Sequence, residues 1–213
     1  MYVPLLDRLL YRHPFEGGSA RRYARDERPA FGDLDDRLLD RLAMTGTERL
    51  LDLGCGPGTF SRCAAVRHPG LRVIAIDPSR DFTRHDEDAG CERLSTVRAA
   101  GEDLPLADGS IDVAICLSSI RHVRDRQRTF RELRRVVRGK LMIVELDPAA
   151  TPERLHAHAD HLRSAILRRA FGPLVLRTAP PAETIAALAI DAGFMQKALV
   201  ADPVQPVYIL ELA

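Results

Sequence analysis

The sequence lacks the features that would assign it to a membrane, secreted or strongly charged class of protein. No apolar run approaches the length of a membrane span, and the amino terminus "MYVPLLDRLLYRHPFEGG" carries Asp7 and has no signal-peptide core. The 213 residues include 31 basic and 30 acidic side chains, so no net charge attracts nucleic acid or an anionic membrane. We therefore expect a cytoplasmic protein that has neither a membrane nor a nucleic-acid partner.

The sequence also lacks the spacing of a disulfide framework or a metal site. None of the four cysteines forms a C-x-x-C pair, which favours reduced thiols; they are Cys55, Cys63, Cys91 and Cys116. His156, His158 and His161 lie in one predicted helix, where positions i and i+2 face different sides. We interpret them as exposed helix histidines and predict no metal.

Apolar, β-branched runs alternate with helical patterns along most of the chain. The runs predict strands at 49–53, 72–76, 95–99, 111–117, 140–146, 196–200 and 207–212, with helices at 58–67, 79–90, 125–138 and 181–192. This alternation is typical of βαβ units. The predicted fold is a single α/β domain, a Rossmann-like, seven-stranded, mostly parallel sheet with helices on both faces and a helical cap.

Two segments fall outside the alternation and are the predicted cap. Residues 1–45 contain predicted helices at 3–12 and 33–43, joined by a loop over 13–32 that we expect to be mobile and to close over the crevice. Residues 148–180 predict one helix, with Thr151 as N-cap, Pro152 in the first turn and Gly172 after its end. The cofactor-binding core then covers 46–147, and residues 181–213 form a last helix and antiparallel strands.

The stretch "LLDLGCGPGTF" at 50–60 predicts where a ligand binds. Its glycines follow a buried strand in the order G-x-G-x-G, whereas the dinucleotide fingerprint is G-x-G-x-x-G. Asp52 precedes the glycines, and its carboxylate would oppose a pyrophosphate but suit an amino group. Asp77 ends the second predicted strand, where a carboxylate can accept both ribose hydroxyls. A nucleoside that carries a cation and no phosphate describes S-adenosylmethionine.

Four motifs resemble those of the class I S-adenosylmethionine-dependent methyltransferases. They are "LLDLGCGPGTF", "VIAIDPS", "AAGEDLPLADGSIDVAICLSSIRHV" and "FRELRRVVRGKLMIVE", which follow one another over about residues 45 to 147. The chain most resembles the small-molecule branch of ubiquinone and menaquinone biosynthesis. The resemblance implies methyl transfer from S-adenosylmethionine to a small organic molecule.

The resemblance also implies which residues bind the cofactor. They are Asp52, Gly54, Cys55, Gly56, Gly58, Asp77, Pro78, Ser79, Gly101, Glu102, Asp103, Leu117 and Ser118. Ala100 departs from the family pattern, because an acid often binds the adenine amino group at that position.

Catalysis in this family rests on holding the acceptor in line with the methyl group, and a base helps only when the acceptor must lose a proton. His122, in "SSIRHV", is the predicted base; its alternative role is to pack and orient the loop. The predicted substrate contacts are Tyr11, His13, Tyr23 and Glu145.

Several alternatives stay open at this point. An RNA or protein methyltransferase would share the fold, an NAD(P)-dependent oxidoreductase would share the sheet, and a cofactor-binding module could lack catalysis. Residues 121–138 hold eight arginines, which we interpret as the solvated face of an amphipathic helix around Phe130, Leu133, Val136 and Val137. A homodimer is also left open.

Overall fold

The computed structural model describes residues 2–11, 15–83 and 93–213, with the backbone alone at residues 10 and 11. The predictions for the Tyr11 side chain, for His13 and for residues 84–90 of the expected helix therefore lie outside the described residues. Residues 79–83, with which that expected helix begins, are not helical.

Seven strands form one sheet in the order β3–β2–β1–β4–β5–β7–β6. The strands are β1 (Arg49–Leu53), β2 (Arg72–Asp77), β3 (Leu94–Arg98), β4 (Ile111–Leu117), β5 (Val137–Leu146), β6 (Gln196–Ala201) and β7 (Val207–Leu212). Only β7 runs antiparallel to its neighbours, β5 and β6. The predicted fold class is confirmed, and β1, β4 and β7 have the predicted bounds.

Eight α-helices are described, and they cover both faces of the sheet. They are α1 (Pro4–Tyr11), α2 (Gly18–Arg22), α3 (Leu34–Leu42), α4 (Thr59–Arg67), α5 (Arg126–Val136), α6 (Pro152–Asp160), α7 (Ala165–Thr178) and α8 (Ala182–Asp191). One apolar core packs α3 and α4 against one face, and a second packs α5 and α8 against the other. No helix in the described part of the chain is both long and apolar enough to cross a membrane.

The predicted loop over 13–32 is wrong for most of its length. Helix α2 continues into a π-helical turn over Tyr23–Glu27 and a 3₁₀ turn over Arg28–Phe31. Ala20 and Phe31 are buried, and the buried Arg28 guanidinium lies 2.5 Å from the Asp35 carboxylate. The Gln205 side chain also donates to the carbonyls of Ala30 and Phe31, so residues distant in sequence hold this segment, and the local pattern of glycine and charge did not indicate it.

The single helix predicted over 152–171 is also wrong. Thr151 caps α6 as predicted, but α6 ends at Asp160 and α7 begins at Ala165 with its own cap, Ser164. Gly172 and Pro173 lie inside α7. A proline inside a helix removes one backbone donor, yet α7 continues to Thr178 because its ends are capped and packed.

The basic stretch is only partly the solvated face that we predicted. Phe130, Leu133 and Val136 are buried as expected. Arg121 and Arg126 are buried too, which the prediction missed. Arg126 forms an ion pair of 2.7 Å with buried Asp7, so part of this stretch joins α1 to the body of the protein.

Candidate active site

The sheet order reverses between β1 and β4, and the largest set of predicted site residues meets at the carboxyl ends of these strands. A cavity of 470 Å³ opens there, which we call the glycine-turn cavity. Its volume lies within the ~300–1,000 Å³ usual for ligand pockets. Its walls include the predicted residues Tyr23, Gly54, Gly56, Asp77, Pro78, Gly101, Glu102, Ser118 and His122.

Two of the glycines serve different purposes in the turn. Gly54 has a φ of 74°, and a Cβ built on it would lie 2.3 Å from the Ser119 Cβ. Ser119 fills that space because its hydroxyl donates to the Leu53 carbonyl at 2.7 Å. Gly56 has a φ of 53°, but a Cβ placed on it would approach nothing closer than 3.6 Å, a ring carbon of Tyr23. The missing side chain of Gly54 therefore makes room for Ser119, whereas the missing side chain of Gly56 leaves space that opens to the cavity.

Asp77 lies at the end of β2 with its carboxylate oriented by the backbone. The Gly56 amide donates to its Oδ2 at 2.9 Å, and the Ser79 amide donates to its Oδ1 at 2.8 Å. Burial raises the pKa of this carboxyl, and the two backbone hydrogen bonds oppose that shift. Each carboxylate oxygen keeps a further lone pair for a hydroxyl in the cavity.

Asp52 does not line the cavity. It is 1% exposed and accepts a hydrogen bond of 2.5 Å from the Ser61 hydroxyl. Burial raises the pKa of its carboxyl to about 7, although the Ser61 hydrogen bond and the Arg28 charge lower it. Asp52 therefore lies on the buried side of the glycine turn and makes no direct contact with the cavity.

Five other predicted cofactor residues lie away from this cavity. Cys55 and Gly58 border a separate cavity beside the start of α4. Ser79 is buried and organises the turn after β2, where its hydroxyl accepts from the amides of residues 81 and 82. Asp103 is exposed, and Leu117 packs into the core.

Aromatic rings form one wall of the glycine-turn cavity. Phe15 stacks on Tyr23 with the ring centroids 5.1 Å apart, and it meets His122 edge-on at 4.9 Å. Phe82 lies 6.3 Å from Tyr23. The sequence analysis missed Phe15 and Phe82. The only signal for them was an aromatic residue within a short polar stretch, in "HPFEGG" and "PSRDFT".

A second, smaller cavity adjoins the first, and we call it the lid cavity. Its volume is 100 Å³, and it shares Phe15, Tyr23, Ser118 and His122 with the glycine-turn cavity. Its other walls come mostly from residues 27–31 and 146–175; they are Glu27, Phe31, Arg121, Leu146, His158, Leu162, Leu167, Phe171, Leu174 and Val175. Ser118 stands between the cavities with a φ of 51°, a conformation that is rare outside glycine and concentrates at functional sites.

Glu145 is buried beneath the lid cavity and does not line it. Its Oε2 accepts the Arg121 amide at 3.4 Å, and the Arg121 guanidinium lies 3.9 Å from its Oε1. Burial raises the pKa of Glu145, and attraction to Arg121 opposes the shift. Arg121 also donates to the Thr178 hydroxyl at 2.8 Å, so this cluster joins the loop after β4 to α7.

The interpretation of all three helix histidines as exposed is wrong for His158. His158 is 3% exposed and lines the lid cavity, where its ring stacks on Phe171 with the centroids 4.7 Å apart. The Phe31 ring meets the His158 ring edge-on, with the centroids 4.9 Å apart. His156 and His161 are exposed as predicted. Within the described ranges, no group of three or more His, Cys, Asp or Glu side chains could hold a metal ion.

Comparison with known proteins gives a consistent family. A family model described as a methyltransferase domain matches residues 51–143. A ubiquinone/menaquinone biosynthesis C-methyltransferase of Syntrophotalea carbinolica is 31% identical over 155 residues, which are 62% of this chain and 65% of that protein. A 27-O-demethylrifamycin SV methyltransferase of Amycolatopsis mediterranei is 30% identical over 172 residues, 76% of this chain and 61% of that protein.

A solved structure shares the fold over nearly the whole chain. A SAM-dependent methyltransferase from Aquifex aeolicus superposes with a TM-score of 0.68 at 15% identity, covering 91% of this chain and 96% of that one. The matched regions span between about half and two thirds of the length of the first curated relatives, from 46% to 65%.

Proposed function

We propose that the chain, whose residues 51–143 match a methyltransferase domain, is a class I S-adenosylmethionine-dependent methyltransferase, and that it transfers a methyl group to a small organic molecule. The observation that carries the proposal is the pair of adjoining cavities with one shared wall. A methyl transfer needs a cofactor and an acceptor on either side of one point, held in line. Ser118 and His122 border both cavities.

The glycine-turn cavity has the groups that would hold S-adenosylmethionine. The Asp77 carboxylate would accept the ribose hydroxyls, Gly56 would let the backbone approach the methionine part, and Gly54 would line the cavity beside it. Pro78, Gly101 and Glu102 would flank the adenosine. When bound, the cofactor supplies an electrophilic methyl group on a sulfonium. The roles of Cys55, Gly58, Ser79, Asp103 and Leu117 would be to shape the surrounding turns.

Asp52 supports the choice of a cofactor without phosphates. Its carboxylate lies beneath the glycine turn, and a pyrophosphate at that turn would be repelled whenever Asp52 is ionised. An NAD(P)-dependent oxidoreductase is therefore disfavoured. The Ala100 position leaves adenine recognition to the backbone and to apolar contacts, which weakens one hydrogen bond without removing the site.

The lid cavity would take the acceptor. Its walls are mostly apolar and aromatic, and its small volume suits one ring or the end of a larger apolar molecule. The cap that we assign to residues 1–45 and 148–180 contributes most of these walls, and the core over 46–147 holds the cofactor residues. His122 stays a candidate base, and Tyr23 is the predicted substrate residue that lines both cavities.

We also propose that the protein acts in the cytoplasm and pairs with a second copy. Cys55, Cys63 and Cys116 are free thiols, which suits a reducing compartment.

The proposed pairing surface lies on α1 and α7. Helix α1 packs against α7, and apolar side chains stay exposed on both, with Leu9 at 65% and Ile166 at 81%. Light scattering on the wild type and on a Leu9→Glu variant tests the pairing. A wild-type protein that stays monomeric at high concentration would overturn it.

Ligand-induced stabilisation tests the proposed cofactor. S-adenosylhomocysteine should raise the melting temperature of the protein, because a ligand at about 100 times its dissociation constant adds roughly 2.7 kcal/mol to the free energy of unfolding. NAD at the same concentration should leave the melting temperature unchanged. An equal rise with NAD would overturn the proposal, and calorimetry with both ligands provides the second measurement.

A further inference from the structure

The side-chain environment of His158 fixes which nitrogen of its ring carries the proton. The Nδ1 atom lies 2.7 Å from the Oε1 atom of Gln205, and both side chains are buried. An amide oxygen only accepts hydrogen bonds, so Nδ1 must donate in this pair. The neutral imidazole then has its lone pair on Nε2.

The orientation of the Gln205 amide is itself determined by its surroundings. The Nε2 of Gln205 donates to the Phe31 carbonyl at 3.1 Å and to the Ala30 carbonyl at 3.4 Å. The reverse orientation would direct the amide oxygen at two carbonyl oxygens, with no hydrogen between them. Asp202 holds the Gln205 backbone amide at 2.6 Å, so the whole residue is anchored. Gln205 therefore positions His158.

The ring of His158 stays neutral near pH 7 in this environment. Burial lowers its pKa, and so does the nearby His161 charge, while the Gln205 hydrogen bond opposes the shift. Tyr23, Glu27, Arg121 and His122 are the other titratable groups that line the lid cavity. No described residue donates a hydrogen bond to the Nε2 of His158.

We propose that His158 is the general base of the lid cavity, and that its substrate is an apolar molecule with an acidic hydroxyl group, a phenol or an enol. The proposal rests on the methyl transfer proposed above. The O–H bond of the acceptor breaks, its proton goes to Nε2, and the electron pair stays on the oxygen, which becomes the nucleophile. The imidazolium returns the proton to water after product release, so the base is regenerated.

Two properties of the cavity select this class of acceptor. Phe31 and Phe171 flank His158 with aromatic rings, which favours a flat apolar partner. A base with a lowered pKa is weak, so it can remove a proton from a hydroxyl near pKa 10, as in tyrosine, much more readily than from one near 15.7, as in water. A neutral amine attacks through a lone pair that it already has and needs no such base.

Binding of two matched probes in the absence of cofactor tests the proposal. Phenol and toluene have nearly the same shape, but only phenol can donate a hydrogen bond to Nε2. Ligand-observed NMR titration of the full-length protein gives both dissociation constants. The variant His158→Phe keeps the aromatic contacts, and we expect it to lower the ratio of phenol to toluene affinity about fivefold to tenfold. The variant His156→Phe, on the exposed side of the same helix, should leave that ratio within about twofold.

A measurement on the wild-type protein makes the test independent of any variant. Nitrogen-15 NMR of the imidazole should show Nδ1 protonated and Nε2 unprotonated, with the Nε2 resonance shifting when phenol is added. The opposite tautomer, or no binding of phenol, would overturn the proposal. An unchanged ratio of phenol to toluene affinity in His158→Phe would overturn the proposal as well.

The two proposals fail separately. Stabilisation by S-adenosylhomocysteine together with an unchanged phenol ratio keeps the methyltransferase and overturns the role of His158. A lowered ratio of phenol to toluene affinity in His158→Phe, without any stabilisation by S-adenosylhomocysteine, supports His158 as the residue that binds the hydroxyl group and overturns methyl transfer as its purpose.

Discussion

Gly54 is a glycine because another part of the protein occupies the space of its side chain. Ser119 crosses from the loop after β4 and hydrogen-bonds the backbone of β1 at this point. The glycine thus ties two strands together at the place where the sheet order reverses. Gly56, two residues later, has no such neighbour within 3.6 Å. The spacing of the glycines in the sequence cannot distinguish these roles, because it does not reveal what approaches each one.

The difference between the two glycines predicts different costs of substitution. Gly54→Ala combines a strained φ with a clash against Ser119, and should lower the free energy of unfolding by at least about 2 kcal/mol. Gly56→Ala meets only the strained φ and should cost about 1 kcal/mol. Urea denaturation of both variants measures this. Adding Ser119→Gly to Gly54→Ala should restore part of the loss; equal costs for the two single variants would contradict the account.

Asp77→Asn tests the predicted role of this carboxylate. The substitution keeps the size of the side chain, but its NH2 group cannot accept the Gly56 or Ser79 amide, and it weakens charge-assisted hydrogen bonds, each of which contributes about 1.5–3 kcal/mol. We expect the affinity for S-adenosylhomocysteine to fall at least about tenfold by calorimetry. Asp103→Asn is the matched control, since Asp103 is exposed and lies outside the cavity. Its affinity should stay within about twofold of the wild type, and equal losses would contradict the assignment.

Asp52 should make stability depend on pH. Its pKa is about 7 in the folded protein, against an ordinary value of 3.8. The stabilisation that this proton provides is therefore complete below about pH 4 and lost as pH rises through 7. Asp52→Asn should be more stable than the wild type at pH 8 by about 1 kcal/mol or more, roughly 2–4 °C in melting temperature, and gain less at pH 4. Urea unfolding at both pH values measures this, and an equal difference at the two would contradict it.

At the scale of single residues, the sequence predicted where a residue lies in a strand or helix better than which residues it contacts. It placed Asp77 correctly at the end of a strand, and the structure adds the cavity beside it. It also placed Asp52 in the neighbouring strand. It could not show that the hydroxyl of Ser61, nine residues later on α4, would donate a hydrogen bond to the Asp52 carboxylate. His158 was misjudged for the same reason, because Gln205 and Phe31 are distant in sequence.

Helix α1 is joined to α5 by a buried ion pair. The side chains of Asp7 and Arg126 are 0% and 5% exposed, and the Tyr2 hydroxyl also donates to Asp7 at 2.9 Å. Removing one partner leaves the other charge buried without compensation, which costs about 3–5 kcal/mol. We expect Asp7→Ala to lose that much by urea denaturation.

The matched control for α1 is Arg8→Ala, because Arg8 is the neighbouring residue and is exposed. Its free energy of unfolding should change by no more than about 0.5 kcal/mol. If both variants lose equally little, α1 is held by its apolar contacts alone.

The strands of the sheet were predictable, and so were α1 and α3 within residues 1–45, whereas the segments 18–31 and 152–178 were not. A central strand has to be apolar on both faces, so "IDVAICL" identifies β4 to the residue. The segment from residue 18 to 31 folds through α, π and 3₁₀ turns in succession, and its few buried side chains give no regular period. The break between α6 and α7 is likewise set by a local cap at Ser164, within a pattern that would suit one helix.

At the scale of the whole molecule, several arginines of the described residues are paired with carboxylates of the same chain. Arg135 pairs with Glu132 and Asp108, and Arg138 pairs with Asp112. The formal net charge is +1. Non-specific binding to nucleic acid relies on basic side chains that are available to phosphates, and gives dissociation constants of about 10⁻⁴–10⁻⁶ M.

The internal pairing of these arginines predicts weak binding to RNA. A fluorescein-labelled RNA of about 20 nucleotides should bind with a dissociation constant above about 10⁻⁴ M at physiological salt, by fluorescence anisotropy. Tighter binding that weakens steeply with added salt would instead favour the alternative of an RNA methyltransferase.

Because the two cavities share a wall, an atom that leaves the molecule in one cavity adds to the volume of the molecule in the other. Each turnover would move one methyl group out of the cavity of 470 Å³ and into the one of 100 Å³. The spent cofactor would then fit its site more loosely, whereas the methylated acceptor would be one carbon larger than its precursor. Overpacking typically costs about 1–3 kcal/mol, so a smaller site that fits the precursor closely would favour release of its product. Product inhibition should therefore come from S-adenosylhomocysteine and hardly at all from the methylated acceptor.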